Sequence, residues 1–450
     1  MKTLIKQKVM ELQNEMITSI IDSVKIPSVI SEAKEGYPFG ENIDKALRHT
    51  LQLCESLGFK TVYKDGYYGY AEIGEGEELI GILGHLDVVP EGELDSWQYP
   101  PYEGVIKDGK LYGRGTQDDK GPTIAAIYAV KALMDLGIKF DKRVRFIFGT
   151  DEENLWRCIQ KYSENGEEIP AYGFTPDSKF PMINAEKGLL QALLVSDEGS
   201  EVNLKLGNAF NSVPDKAAYN DIKLEEIKSE LDKLGFEYTT NENGICVVGT
   251  GVHSQVSDLK DAKNAIARLC IALNKVGINS KAIDFIAEVI GEDANANNIV
   301  KDCRDDVSGN LTFNIGKLDL NQDKQVISVD IRIPVTFEKE VVVNNLTEKA
   351  KAYGLGYEEF DWLKSIYVPA DNFLVKTLRK IFEEETGLDS TPLSSGGATY
   401  ARALDNCVAF GSVFPNSPKT EHQPNEYVLI DDLMHAAQIY GLAVYELLQG

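Results

Sequence analysis

Leu79-Ile80-Gly81-Ile82-Leu83 is a short, wholly apolar run, and Gly84-His85-Leu86-Asp87 follows it directly. A run of that length and character fits a strand buried on both faces. Further along, Gly121-Pro122 opens a helical pattern, with proline suited to the first turn, and Ile124, Ile127, Ala129 and Leu133 carry it to Gly137. Arg143-Val144-Arg145-Phe146-Ile147-Phe148-Gly149 reads as a second strand. Strand, helix and strand in succession argue for an α/β sheet covered by helices.

Upstream, apolar residues at helical spacing (Ile5, Val9, Leu12, Met16, Ile20) predict a helix over 5–25, and another spans 42–57 and ends at Gly58. Downstream the texture changes. From about 188 to 362 the chain shows hairpin-like strands and two amphipathic helices, near 221–234 and 261–276. Residues 323–334 alternate apolar and polar as a half-buried strand does, and a helix follows near 337–352. From about 370 the helix-rich α/β pattern resumes. A chain of 450 residues suits two domains. The expected architecture is therefore an α/β domain of residues 1–187 and 363–450, its central sheet flanked by helices, interrupted by an inserted α+β domain over 188–362.

The net charge of −25, from 46 basic and 71 acidic residues, opposes nucleic-acid binding, which rests on Lys and Arg neutralising phosphates. Its plain consequence is solubility. The first sixteen residues hold no unbroken apolar segment of the signal-peptide kind, and no run approaches the length of a membrane span, so neither export nor a membrane partner is expected. Six scattered cysteines without a CxxC pair point to reduced thiols and a cytoplasmic location.

Chemistry-bearing residues gather at the ends of the α/β elements. His85 and Asp87, two apart at a strand end, share a face, so one can bind a metal while the other orients the ring. Asp118-Asp119 precede a helix start, where negative charge is favoured; an acidic N-cap is the other reading. Asp151-Glu152-Glu153 follow the 143–149 strand at its carboxyl end, where ligand sites form in open α/β sheets, and a solvated turn would look the same. Asp177, in Phe174-Thr175-Pro176-Asp177-Ser178, fits a turn former as well. Glu421-His422-Gln423-Pro424-Asn425-Glu426 adds a second histidine in a polar loop. His85, Asp118, Glu153, Asp177 and His422 together give two imidazoles and three carboxylates, a set for two metals with one carboxylate bridging. Two divalent ions against three carboxylates leave one positive charge. A bound hydroxide would neutralise it, so such a site lowers the pKa of its water.

Gly84-His85-x-Asp87-x-Val89, Asp118-Asp119-Lys120-Gly121, Asp151-Glu152-Glu153 and His422-x-x-Asn425-Glu426 resemble, in order, the signature set of the M20 metallopeptidases. Trp97 and the stretch Gly109-Lys110-Leu111-Tyr112-Gly113-Arg114-Gly115 resemble that family's approach to its bridging aspartate. Gly207-Asn208-Ala209-Phe210-Asn211-Ser212-Val213-Pro214-Asp215 and Tyr367-Val368-Pro369-Ala370-Asp371 are similar to its dipeptidase branch. The resemblance implies a metallopeptidase catalytic domain with a lid, acting on dipeptides or short unblocked peptides. Asp118 would bridge two divalent ions, zinc in the first place and manganese or cobalt on the same ligands. His85 and Asp177 would complete one site, Glu153 and His422 the other. Asp87 would orient His85. Glu152 would be the general base that takes a proton from a metal-bridging hydroxide or water and passes it to the leaving amine. The Asp118–Asp119 peptide bond would be cis. In the lid, His253 would stabilise the oxyanion, and Asn211 and Arg332 would hold the substrate's far end; a turn cap for Asn211 and a strand neighbour for Arg332 are the other readings. Gly396-Gly397 resembles a substrate loop on the catalytic domain, or a plain βα turn. The lid would cover the surface that smaller relatives use to dimerise, which implies a monomer whose only partner is a short peptide.

Two departures bear on substrate choice. Gln255-Val256-Ser257-Asp258 stands where the family has a proline soon after the lid histidine, and Asn154-Leu155-Trp156 replaces the commoner small or hydroxyl residue after Glu153. The alternatives are an N-acyl-amino-acid deacylase or desuccinylase on the same ions, and a non-catalytic peptide-binding protein on the same scaffold. The second would have lost a ligand or the base, and here all five ligand positions and Glu152 are filled.

Overall fold

Leu79–His85 is a strand with every residue buried, as its unbroken apolar character predicts. In the computed structural model, which describes residues 1–242, 244–258 and 261–450, this strand lies inside the first of two compact units. That unit comprises Met1–Asn184, Val368–Leu393 and Thr399–Gly450. Its sheet runs in the order Lys60–Lys64, Tyr68–Ile73, Arg143–Gly149, Leu79–His85, Tyr172–Thr175, Cys407–Ala409, with Ile183 beside Ala409. The four strands from Arg143–Gly149 to Cys407–Ala409 are parallel, and antiparallel pairs flank them. The helix Lys120–Asp135 joins two neighbouring parallel strands and packs against the C-terminal helix Ile430–Gln449. Ile82, Phe146, Phe174, Ile127, Val130, Ile439 and Ala443 share the core between these helices and the sheet.

Register decides where the chemistry falls. Ile82 lies opposite both Phe146 and Phe174, and His85 lies opposite Gly149. The three central strands therefore end nearly level, and residues 85–87, 150–153 and 176–177 leave the sheet from one carboxyl edge. The helix beginning at Lys120 is brought down onto that edge by a glycine: a Cβ at Gly84 would run into the Thr123 side chain. Thr123 Oγ1 and the His85 backbone N–H both donate to Asp119 Oδ2, at 2.7 and 3.2 Å.

The structure departs from the sequence expectation at the first helix. The periodic stretch 5–25 is two helices, Lys2–Glu11 and Gln13–Val24, parted at Leu12. The Leu12 N–H is shared between the Lys8 and Val9 carbonyls, a local tightening that no glycine or proline announces. The helix Glu41–Leu57 ends at Gly58 in the left-handed region, φ 98°, as expected.

The second unit comprises Ala185–Tyr367 and Ser394–Ala398. A five-stranded antiparallel sheet runs Leu204–Leu206, Thr312–Leu320, Gln325–Ile333, Gly188–Ser196, Gly356–Leu363. Ala265–Lys275, Lys281–Phe285 and Lys339–Ala352 pack on it over a separate apolar core. Gln325–Ile333 reads as half-buried, yet its polar positions Ser328, Asp330 and Arg332 are buried too; Asp330 and Arg332 pair with each other, and Asp330 also accepts from Ser254 Oγ. Residues 394–398, read from sequence as part of the first domain, cluster with this unit; Lys187 N–H donates to the Ser395 carbonyl at 2.9 Å, and Arg332 Nη1 to that of Gly396 at 2.8 Å. Among the described residues no helix is long and apolar enough to cross a membrane, and all six cysteines are unpaired.

The close approach at Gly84 makes a stability prediction. Gly84→Ala should destabilise the protein by about 1–3 kcal/mol, the usual cost of overpacking, and Thr123→Ala in the same chain should recover part of that loss. Denaturant unfolding of the single and double variants measures both effects; equal midpoints for Gly84→Ala and wild type would show that the contact is slack.

Candidate metal centre

His85 is the last residue of its strand, and its imidazole is fully buried. Nδ1 lies 3.0 Å from the backbone carbonyl of Asp87. A carbonyl only accepts, so Nδ1 carries the proton and Nε2 is left facing the site. There Nε2 is 2.9 Å from Asp118 Oδ1 and 3.6 Å from Asp177 Oδ2. The other oxygen of Asp118, Oδ2, is 3.0 Å from His422 Nε2, which in turn is 3.1 Å from Glu153 Oε1. Two donor groups result, His85 with Asp118 and Asp177, and Asp118 with Glu153 and His422, the atoms of each lying within 4.8 Å of one another. Asp118 is common to both and presents one oxygen to each imidazole. The Asp118–Asp119 peptide bond is cis.

The neighbouring acids are sorted by the backbone that carries them. Asp151 points away: its buried carboxylate takes Nε and Nη2 of Arg157 at 2.7 and 2.8 Å and the Arg157 N–H at 3.0 Å. Asp119 stands at the start of the helix Lys120–Asp135 without its side chain capping a helix N–H; it accepts Thr123 Oγ1 and the His85 N–H instead. Asp87 has two sets of partners. Its backbone carbonyl meets His85 Nδ1, while its carboxylate stands 3.6 Å from that nitrogen and accepts the backbone N–H groups of Glu152 and Glu153, at 3.1 and 3.0 Å. Asp87 thus orients the imidazole with its main chain and holds the 152–153 turn with its side chain. Glu152 lies in that turn outside both donor groups.

The electrostatics of this cluster are those of a site made for cations. Burial pushes the Glu152 carboxyl up to about 8; the charge of His85 opposes this, and those of Glu153, Asp118 and Asp87 add to it. Burial likewise raises Glu153 and Asp177, and the charge of Asp118 raises both further. Asp118 is the exception: burial alone would raise it, but hydrogen bonds from His422 and His85 hold it well below the usual carboxylate range. His422 is pushed up to about 10 by its bonds to Asp118 and Glu153. For His85, burial acts downward and is outweighed by its bonds to Asp118 and Asp87 and by the charges of Asp177 and Glu152. More carboxylate is packed here than two imidazoles offset. Hard oxygen and imidazole donors around such a deficit of positive charge fit divalent ions.

The remaining sequence-predicted residues, Asn211, His253, Arg332 and Gly397, belong to the second unit. Ser254 draws the first three together: its N–H donates to the Asn211 carbonyl at 2.9 Å, and its Oγ lies 3.2 Å from Arg332 Nη2. Burial, then the charge of Arg332, pushes the His253 imidazole down, towards its neutral form. Arg332, expected at the substrate's far end, is engaged within the protein: Nε and Nη2 grip Asp330 at 2.6 and 2.9 Å, and Nη1 donates to the Gly396 carbonyl. Asp330 sits two residues away on the same strand face and is the strand neighbour that the sequence left open. Gly397 N–H donates to Ser395 Oγ at 3.0 Å. Sequence reasoning gave no role to Gln117 or Glu426, both of which tie the loops carrying Asp118 and His422 to each other. A glutamate followed at once by the apolar Tyr427-Val428-Leu429 was the available hint that its side chain is buried.

Residues 81–446 match the model of Peptidase family M20/M25/M40. A Bacillus subtilis protein named "Putative dipeptidase YtjP" is 38% identical over 98% of this chain and 98% of its own length. Among solved structures, human carnosine dipeptidase 1 aligns with a TM-score of 0.60 at 15% identity, over 100% of this chain and 99% of that one. The di-peptidase Dug1p of Saccharomyces cerevisiae aligns with a TM-score of 0.60 at 14% identity, over 100% and 99%. Identities that low carry the fold alone.

The double acceptance by Asp87 has a measurable consequence. Asp87→Ala removes the acceptor of two N–H groups in the 152–153 turn, and orphaned donors of this kind cost about 1–3 kcal/mol. Urea unfolding of metal-free protein should show that loss; a midpoint equal to that of the wild type would mean that the turn is held by other bonds.

Proposed function

The chain belongs to Peptidase family M20/M25/M40, and on that premise we propose that it hydrolyses the peptide bond of dipeptides and other short peptides with an unblocked amino terminus. The observation that carries this reading is Asp118 shared between two donor groups, with Glu152 beside them and in neither. His85 and Asp177 would hold one divalent ion with Asp118, and Glu153 and His422 the other; zinc is the first expectation, and manganese or cobalt suit the same donors. When bound, the pair supplies Lewis acidity and an attacking water of lowered pKa.

The chain's own residues account for the rest. Glu152 is a carboxylate close to the ligands but not one of them, which leaves it to take a proton from the attacking water and deliver it to the departing amine. Asp87 keeps Glu152 and Glu153 aimed together by holding the turn that bears both. His253 is assigned the developing oxyanion, a part for which a largely neutral imidazole with an N–H to donate is suited. Asn211 is assigned the substrate's far end, and Gly397 a substrate loop. Arg332 is assigned to that end as well, acting through Ser254 and Gly396, whose positions it sets. The names of the similar proteins favour a peptide over an N-acyl amino acid.

The test of substrate class is a panel of free dipeptides against their N-acetylated and N-succinylated forms, after reconstitution with zinc or manganese. Free dipeptides should be turned over and the blocked forms should not; the reverse preference would assign a deacylase. The test of mechanism is Glu152→Gln. It should keep two equivalents of metal and its KM while kcat falls by about 10²–10⁴-fold, the usual contribution of a general base. Near-normal kcat in that variant would place the base elsewhere.

A further inference from the structure

The carboxylate of Glu426 is fully buried, and among the described residues its hydrogen bonds go to the loop that leads to Asp118. Oε1 accepts the backbone N–H groups of Gly115, Gln117 and Asp118, at 3.0, 2.9 and 3.2 Å. Oε2 accepts from Arg114 Nη1 at 2.7 Å. Three converging N–H groups form a nest for an anion, and a guanidinium completes its neutralisation. The main chain adds to this: the Gly113 N–H donates to the Glu426 carbonyl at 2.9 Å, and the strand Tyr427–Leu429 that follows pairs antiparallel with Lys110–Tyr112.

Gln117 returns the contact in the opposite direction. Its Oε1 accepts the N–H groups of Thr420 and Glu421, at 2.6 and 3.1 Å, and its Nε2 donates to the Pro418 carbonyl at 3.0 Å. His422 therefore sits in a short span whose two ends, 420–421 and 426, are both fastened to the residues next to Asp118. Within that span His422 and Asn425 adopt left-handed backbone, φ 62° each, a conformation uncommon outside glycine that persists where surrounding contacts impose it. Asn425 Nδ2 donates to the Ser96 carbonyl at 2.9 Å, a third fastening point.

We propose that Glu426, with Gln117 reaching back, is a positioning residue that makes the two halves of the metal centre assemble together, by locking the loop of the shared ligand Asp118 to the loop of His422. The proposal rests on the two-cation reading of the centre. It assigns Glu426 neither a bond to an ion nor a contact with substrate. Its length matters: an aspartate, one methylene shorter, would withdraw the carboxylate from the nest, and a glutamine would offer the nest an oxygen while turning an amide towards Arg114.

The test uses full-length protein stripped with a chelator and titrated with zinc against a chromophoric competitor, at a temperature where circular dichroism shows each variant folded. Wild type should take up two ions. Glu426→Asp and Glu426→Gln should weaken the binding of both by about 10–100-fold, the scale for losing an outer partner of a metal ligand. A residue that merely stabilised the fold would lower the melting temperature and leave both affinities at the wild-type value, and that result would overturn the proposal. Should neither Glu426 variant fold, Gln117→Ala decides, since it cuts the bonds to 418–421 with Glu426 in place: weakened binding supports the coupling, and unchanged binding of both ions overturns it. Wild-type protein that binds no ion would overturn the two-cation reading itself.

Discussion

Carboxylates crowded out of water repel one another, and most of the architecture around Asp118 exists to hold such a crowd in place. Asp118, Glu152, Glu153 and Asp177 converge on a space where the imidazoles of His85 and His422 offset their charge. No strand or helix prefers that arrangement by itself. It persists because level parallel strands deliver the turns to one edge, and because a second ring of acids fastens those turns down.

That second ring follows one rule. Asp87, Asp119, Asp151 and Glu426 are each buried, and each is met by backbone N–H groups, by a hydroxyl or by a guanidinium. They are structural acids bonded by the protein, Asp119 through Oδ2 while its buried Oδ1 finds no partner among the described residues, whereas the four inner acids face imidazoles and one another. Adjacent residues fall on opposite sides of this division: Asp118 is inner and Asp119 outer, Asp151 is outer and Glu152 inner. The division gives a buried charge its partner in every case where the protein supplies one, and leaves cations as the remaining partner for the rest.

The fold was legible where periodicity speaks. The apolar run 79–83, the helix opened by Gly121-Pro122 and the strand 143–149 all lie where their patterns put them. The inner acids were legible as candidates because they follow strand ends in order. What could not be read was the sorting within each acidic run, since a side chain's direction in a turn depends on torsions set by distant partners: Arg157 for Asp151, the 152–153 turn for Asp87. Arg332 illustrates the same limit. Its charge and its place on a strand were visible, but whether it faced a ligand or Asp330 depended on the burial of a polar strand face that looked half-exposed in the alternation. The break at Leu12 carries no glycine or proline to mark it, and the clustering of 394–398 with the second unit is a product of tertiary contact that leaves no local mark.

The first unit is stitched from three stretches of chain, and the second imidazole of its donor groups, His422, lies in the last of them. A ribosome releases His85, Asp118, Glu153 and Asp177 early, then the whole inserted unit, and only afterwards His422 and the glutamate that fastens the Asp118 loop. Until that final segment emerges, the second donor group lacks its histidine and the Asp118 loop lacks Glu426. A centre drawn from these five side chains is complete only once the last stretch of the chain has been made.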